Sequence, residues 1–324
     1  MIVSRRFLGY FLGIVAAATY GLNPLFALPL MKGGMDTMSI LFWRYLLAIP
    51  IVAVMMLIGN KPFKVDRKEL LLLIGAGLLM GVSSVSLFES YRYMSAGIAS
   101  TMLFVYPLMV ALIGIIFFKE KIGVITWISL AGALFGISLL YKGEDGATLS
   151  AIGTLFVMIS SLSYAIYIVG INRTRLCRVP TLTVTFYVLI FGLSIFISSI
   201  LWRGGLSIPQ DWFQWGCVGS LAFFPTALSF VCTTLSIVYI GSTPTAILGA
   251  FEPVTAVIIG IAVFGEHVTG RAFTGILLIV VAVLLVIGSG SLSRYLTNVR
   301  RLFGRLRSKR GAGLQDVRHK KPSR

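Results

Sequence analysis

The chain of 324 residues is 57% hydrophobic and only 12% charged, with 28 Lys and Arg against 11 Asp and Glu for a formal net charge of +17. Apolar runs of about 20 residues recur, the length a helix needs to cross a bilayer, which excludes a soluble globular domain and describes a polytopic membrane protein. Three scattered cysteines (Cys177, Cys217 and Cys232), two histidines (His267 and His319) and the lack of a GxxxxGK[ST] loop leave a metal or His-based nucleophile site without its parts, so neither a metal nor a cofactor is expected and ATP is not the expected energy source.

The predicted elements are ten helical spans: Leu8 to Leu28, Met38 to Ile58, Leu70 to Tyr91, Gly97 to Phe118, Gly123 to Tyr141, Leu149 to Ile171, Thr181 to Trp202, Trp215 to Tyr239, Thr243 to Phe264 and Thr269 to Ile287. Helices are expected throughout because an open strand edge cannot be satisfied in lipid. In the first span, Arg5-Arg6, an apolar run and Ala16-Ala17-Ala18 also match a cleavable signal peptide. Tyr20 and Phe42-Trp43, however, correspond to Tyr164 and Phe186-Tyr187 at an offset of 144, so the second half retains the counterpart of this span and the uncleaved helix is the better reading. Asn23-Pro24 is predicted to break it.

Spans two and three carry isolated charges. Arg44 lies about five helical residues inside the boundary of span two and Glu89 near the end of span three, so an ion pair that offsets part of their desolvation is the first expectation. Alternatively, the guanidinium fork of Arg44 suits a substrate carboxylate, or the side chain snorkels to the interface. Trp43, Tyr20, Tyr164 and Tyr187 supply aromatic surface with polar tips, suited to cavity lining and also to interface anchoring. Gly9/Gly13, Gly77/Gly81 and Gly132/Gly136 are spaced for close helix packing.

Span four contains PLMVALIGIIFFKE from Pro107, and span nine contains PVTAVIIGIAVFGE from Pro253. Six positions match at an offset of 146, including Pro107/Pro253, Gly114/Gly260 and Glu120/Glu266, so the chain reads as one unit written twice. The copies are an odd number of crossings apart and therefore run in opposite directions. Two five-helix units so related form an inverted-topology repeat, for which alternating access to a shared midplane site is the leading mechanism. The repeats are assigned to residues 1–147 and 148–290.

Both prolines are expected inside their helices, kinking them and freeing carbonyls that need partners; they serve as packing kinks or as hinges. Glu252, before the second proline, is a charge at mid-bilayer, costly enough to face a bundle interior. It either contacts a substrate amine, exchanges a proton as access alternates, or braces the kink. The matching first-half residue is Tyr106. Glu120 and Glu266, at helix ends on opposite faces, are expected to cap or lock the next helix, with gating as the alternative.

FWRYLLA at Phe42 to Ala48, the Tyr106-Pro107 helix ending in Lys119-Glu120, and FEP at Phe251 to Pro253 followed by Gly265-Glu266 resemble the EamA-type branch of the drug/metabolite transporter superfamily. The resemblance covers Leu8 to Ile287. It implies an all-α membrane protein of ten transmembrane helices around a central cavity, a secondary transporter that exports amino acids or other small metabolites. The competing classes are an intramembrane enzyme and a non-transporting scaffold. Lys119 departs mildly from the pattern where the second half has Gly265.

With the N-terminus cytoplasmic, 22 Lys and Arg fall on that side against five on the other, the positive-inside bias of a plasma (inner) membrane protein with both termini cytoplasmic. Eleven of them belong to residues 291–324, read as a basic amphipathic helix on anionic lipid followed by disorder; nucleic acid is not an expected partner. The candidate functional set is Asn23, Trp43, Arg44, Glu89, Tyr106 and Glu252, with Pro107 and Pro253 as hinges and Glu120 and Glu266 as locks. The expected partners are a small-molecule substrate and protons or another coupling ion.

Overall fold

The computed structural model describes residues 2–119, 123–140, 150–240, 245, 248–266 and 268–285. Glu120, the boundary between the two repeats and the basic tail lie outside the described residues, which are helical and contain no strand. Seven helical tracts are long and apolar enough to cross a membrane: Arg5–Lys32, Thr37–Ile58, Arg67–Ser90, Ala96–Phe118, Ala151–Arg173, Thr181–Arg203 and Trp212–Ile240. Shorter apolar helices, Trp127–Leu139, Phe251–Phe264 and Gly270–Leu285, fall where spans five, nine and ten are expected. This is the architecture of a multi-pass membrane protein.

Individual helices are α1 (Ile2–Gly21), α2 (Asn23–Lys32), α3 (Thr37–Ile58), α4 (Arg67–Ser90), α5 (Ala96–Leu103), α6 (Tyr106–Phe118), α7 (Val124–Leu140), α8 (Ala151–Arg173), α9 (Thr181–Arg203), α10 (Trp212–Ala222), α11 (Ser229–Ile240) and α12 (Phe251–Phe264). Gly270–Leu285 is α13. Local chemistry sets several starts. Asp36, Ser95, Ser150 and Asp211 each accept from a backbone N–H in the first turn of α3, α5, α8 and α10, satisfying donors that a helix start leaves free. Asp66 and Glu69 form a reciprocal capping box at α4.

The prolines correct one expectation. Pro107 does not kink a continuous helix: α5 stops at Leu103, Phe104 and Val105 form a turn, and α6 restarts at Tyr106 with Pro107 in its first turn. Pro24 holds the same place in α2, and Pro253 is the third residue of α12, after the turn at Gly249 and Ala250. A first-turn proline gives up an N–H that has no partner inside its helix, so the spans are broken rather than bent. In the eighth span, Pro225 instead lies within a π-helical segment, Phe223–Leu228, that joins α10 to α11.

Each of these prolines leaves the carbonyl four residues earlier without its ladder donor, and each of those carbonyls has found another. Tyr20 O accepts from Asn23 Nδ2 at 2.9 Å. Leu103 O accepts from Ser161 Oγ at 3.3 Å, and Leu221 O from Thr226 Oγ1 at 3.0 Å. Gly249 O accepts from the Glu252 N–H at 3.0 Å. Breaks inside these apolar tracts persist because no freed acceptor is left to face lipid.

Helix α4 packs on α8 and α9, α3 on α9, α1 on α11, and α5 on α12. Gly81 permits the α4–α9 approach: a Cβ there would stand 3.2 Å from the carbonyl oxygen of Gly192. The main core gathers Tyr45, Phe88, Phe104 and Phe196, all fully buried. Helices α5 and α12 run antiparallel, since Glu266, just past the end of α12, meets Ala96 at the start of α5, while Leu103 at the end of α5 shares a cavity wall with Gly249 and Glu252 at the start of α12.

A candidate cavity at the helix breaks

The three first-turn prolines put chain breaks close together, and a cavity of about 250 Å³ lies among them. Its walls come from both halves: Tyr20 of α1, Leu103 and Tyr106 flanking the α5–α6 turn, Tyr164 of α8, Ser229 and Thr233 of α11, and Gly249 and Glu252 flanking the start of α12. The rings of Tyr106 and Tyr164 meet edge to face at 4.7 Å between centroids. Ser229 Oγ donates to Ala16 O at 2.9 Å and ties α11 to α1.

Glu252 is half-buried in the first turn of α12. The break explains how a carboxylate occupies this depth, because a helix start supplies free N–H groups and the positive end of the helix dipole. Helix α1 crosses closely there: a Cβ on Gly21 would come within 2.6 Å of the Glu252 carbonyl oxygen. Tyr20, Tyr91, Tyr106 and Tyr164 all lie within electrostatic reach of the carboxylate. Among the described residues the carboxylate has no hydrogen-bond or ion-pair partner, nor do the hydroxyls of Tyr20, Tyr106 and Tyr164.

Of the six residues singled out in the sequence, Tyr106 and Glu252 line this cavity and the other four do not. Asn23 is buried and its amide nitrogen serves the Tyr20 carbonyl, while its Oδ1 has no partner. Trp43 donates from Nε1 to Ser207 O at 3.1 Å and packs edge-on against Trp215, which fastens the segment between α9 and α10. Arg44 and Glu89 do not pair, a second correction. Arg44 is 6% exposed, donates from Nε to Thr226 Oγ1 at 3.1 Å, and sets its guanidinium carbon 5.6 Å from the Phe88 ring centroid. Glu89 instead pairs with Arg92 at 3.4 Å, one helical turn away near the surface. That neighbour is within reach without displacing Arg44 from the π-helical segment.

Glu266 corrects the lock as well. Its Oε1 accepts from the Ala96 N–H at 2.9 Å, so the helix it caps is α5 in the other half rather than the one that follows it. The two matched helix ends share a conformation. Lys119 (φ 53°) and Gly265 (φ 65°) are both left-handed C-caps, donating to Gly114 O and Gly260 O.

Sequence reasoning missed Ser229, Thr233 and the Ser161 donor, and it gave Tyr20 and Tyr164 only a generic aromatic role. The available signal was Ser229, Thr233 and Ser236 at helical spacing, a small polar stripe along one face of an apolar span. Asp36 was missed too. It accepts from Ser39 N at 3.1 Å and Ser207 Oγ at 2.9 Å. Burial pushes its carboxyl upward, but these hydrogen bonds outweigh burial and hold it below the ordinary carboxylate range.

The sequence profile of the EamA-like transporter family matches residues 7–142 and again residues 151–288. An uncharacterized transporter of Archaeoglobus fulgidus is 26% identical over 252 residues, which span 78% of this chain and 87% of that one. The uncharacterized transporter sll1319 of Synechocystis sp. is 27% identical over 231 residues, 68% of each chain. With the uncharacterized transporter YdfC of Bacillus subtilis the identity is 29%, over 48% of this chain and 44% of that one. A solved crystal structure shares the fold with a TM-score of 0.62 at 17% identity, over 91% of this chain and 99% of that one.

Proposed function

The chain belongs to the EamA-like transporter family, and on that premise we propose that it is a secondary active transporter which exports a small metabolite, such as an amino acid, by alternating access to the cavity at the helix breaks. The observation that carries this reading is the cavity itself, walled by Tyr106 of the first half and Glu252 of the second, with the carboxylate unpartnered among the described residues.

Two inverted five-helix repeats, residues 1–147 and 148–290, are the proposed architecture. The twofold match of the family profile and the antiparallel course of α5 and α12 support it. With the termini cytoplasmic in a plasma membrane, as the charge bias favours, the cavity runs from mid-depth toward Ile237 and Thr245 on the inner side. The Glu266–Ala96, Arg44–Thr226 and Trp43–Ser207 contacts then close the outer side. This conformation is the inward-facing member of the cycle. Glu252 is the proposed coupling acid, giving up and regaining a proton as access alternates. The basic tail rests on anionic lipid.

Proteoliposome flux tests the reading. Glu252→Gln is expected to abolish pH-driven flux. Cysteine introduced as Ile237→Cys is expected to react with thiol reagents from the inner side only, less so when the cycle is driven outward. Unchanged pH-driven flux would remove Glu252 as the coupling acid, and reactivity that never changes would remove alternating access.

A further inference from the structure

We propose that the cavity recognises a small amine through its ammonium group and discriminates against a free carboxylate, so that the substrate is an organic cation with an apolar or aromatic body. The inference rests on the transport reading and narrows its small metabolite to an amine without a carboxylate, in place of the amino acid given there as an example.

Three features of the cavity converge on a cation. The first is Glu252, whose half-buried carboxylate has no hydrogen-bond or ion-pair partner among the described residues. A buried charge without a partner is costly, and an incoming cation relieves that cost. The second is the ring of Tyr20, Tyr106 and Tyr164 within electrostatic reach of that carboxylate. Aromatic faces attract ammonium groups, most strongly where water is excluded, and the edge-to-face contact of Tyr106 with Tyr164 turns one of the two rings across the other. The third is charge balance: among the described residues no Lys, Arg or His lines the cavity.

A substrate carboxylate would find no anchor there. Arg44 is the nearby cation, but it does not line the cavity, its Nε is held by Thr226 and its guanidinium carbon lies over the Phe88 ring. Helix starts can hold anions, yet the start of α12 already carries the Glu252 carboxylate, and the start of α6 has lost a donor at Pro107. An amino acid would therefore bring its carboxylate close to Glu252 without compensation. The cavity volume of about 250 Å³ favours a small body.

The test uses three probes that share one ring: tyramine, tyrosine and 4-hydroxyphenylacetate, titrated by calorimetry into the purified full chain in detergent. Tyramine is expected to bind, tyrosine about tenfold more weakly or worse, and the acid not at all, as expected when one site charge sets the sign of its ligand. Glu252→Gln should weaken tyramine about tenfold or more while Glu252→Asp retains part of the binding, which separates loss of charge from misfolding. Tyr106→Leu should lose affinity, and Tyr106→Phe should lose less than Tyr106→Leu, because the ring face meets the cation. Equal binding of tyramine and tyrosine, preference for the acid, or no binding of any probe overturns the amine assignment. Alternating thiol reactivity of Ile237→Cys would survive that outcome and keep the transport reading, whereas its absence sinks that reading whatever binds.

Discussion

Glu266 Oε1 accepts a hydrogen bond from the backbone N–H of Ala96 at 2.9 Å, across 170 residues of sequence. The bond satisfies a free donor at the start of α5 and puts a negative charge at the positive end of that helix. It also joins the last residue of the second copy of the repeated segment to the start of the span that carries the first copy. Glu266→Ala is expected to cost about 1 to 2 kcal/mol, the range of a lost N-cap, and Glu266→Gln less because it keeps an acceptor. Thermal unfolding in detergent measures both. In vesicles, the Ala variant should also raise the reactivity of a cysteine introduced as Ile237→Cys from the outer side, as expected if this contact helps hold that side closed.

The matched C-caps predict opposite effects from opposite substitutions. Lys119 adopts the same left-handed conformation as Gly265 but carries a side chain there. Lys119→Gly should stabilise by up to about 1 kcal/mol, and Gly265→Ala should destabilise by a similar or larger amount. Unfolding midpoints of the two variants decide it.

Ser161 and Pro107 are coupled through one carbonyl. Ser161→Ala strips the donor from Leu103 O, an expected loss of about 1 to 3 kcal/mol for a buried acceptor left unmet. Pro107→Ala supplies a backbone N–H that can serve the same carbonyl, so adding Ser161→Ala to it should cost much less than in the parent. Equal costs in the two backgrounds would show that the hydroxyl does not serve that carbonyl.

Arg44 and Thr226 should fail additivity, while Arg44 and Glu89 should not. The first pair is in contact at 3.1 Å, whereas Glu89 pairs with Arg92. A double-mutant cycle with Ala at each position should give a coupling above about 0.5 kcal/mol for Arg44–Thr226 and near zero for Arg44–Glu89. Arg44→Lys should not substitute, since an ammonium cannot reproduce the Nε donor to Thr226 while keeping a cation over the Phe88 ring.

Asp36 gives the acid dependence. Its folded pKa lies below the unfolded value near 3.9, so the stability it contributes is present above that value and is lost as pH falls through the folded pKa. Below about pH 4 the link between the start of α3 and Ser207 should weaken. Asp36→Asn should lower stability at neutral pH and flatten that acid limb of the unfolding profile.

Much of this was legible before any coordinates. The apolar runs located the seven long helical tracts, because bilayer thickness sets the helix length, and the repeated segment marked Pro107, Pro253 and Glu252 as special. The duplication also identified Lys119 and Gly265 as equivalents, although only backbone geometry revealed why a glycine suits one of them. Reading Pro107 as an interior kink failed because sequence records a missing donor but not where the helix restarts. Pairing Arg44 with Glu89 failed for a related reason: similar depth does not specify which helices are neighbours.

By itself, then, the sequence determined the solvent, the helical character and the duplication, since these follow from local composition, periodicity and self-comparison. Tertiary structure alone decided the partners: Ser161 for Leu103, Thr226 for Arg44, Ala96 for Glu266, and no side chain among the described residues for Glu252. A freed carbonyl or a buried charge demands compensation wherever it occurs, but what supplies it depends on which helices pack together. For Leu103, Ala96 and Arg44 the compensating groups lie 58 to 182 residues away, whereas the freed carbonyls of Tyr20, Leu221 and Gly249 find theirs within five.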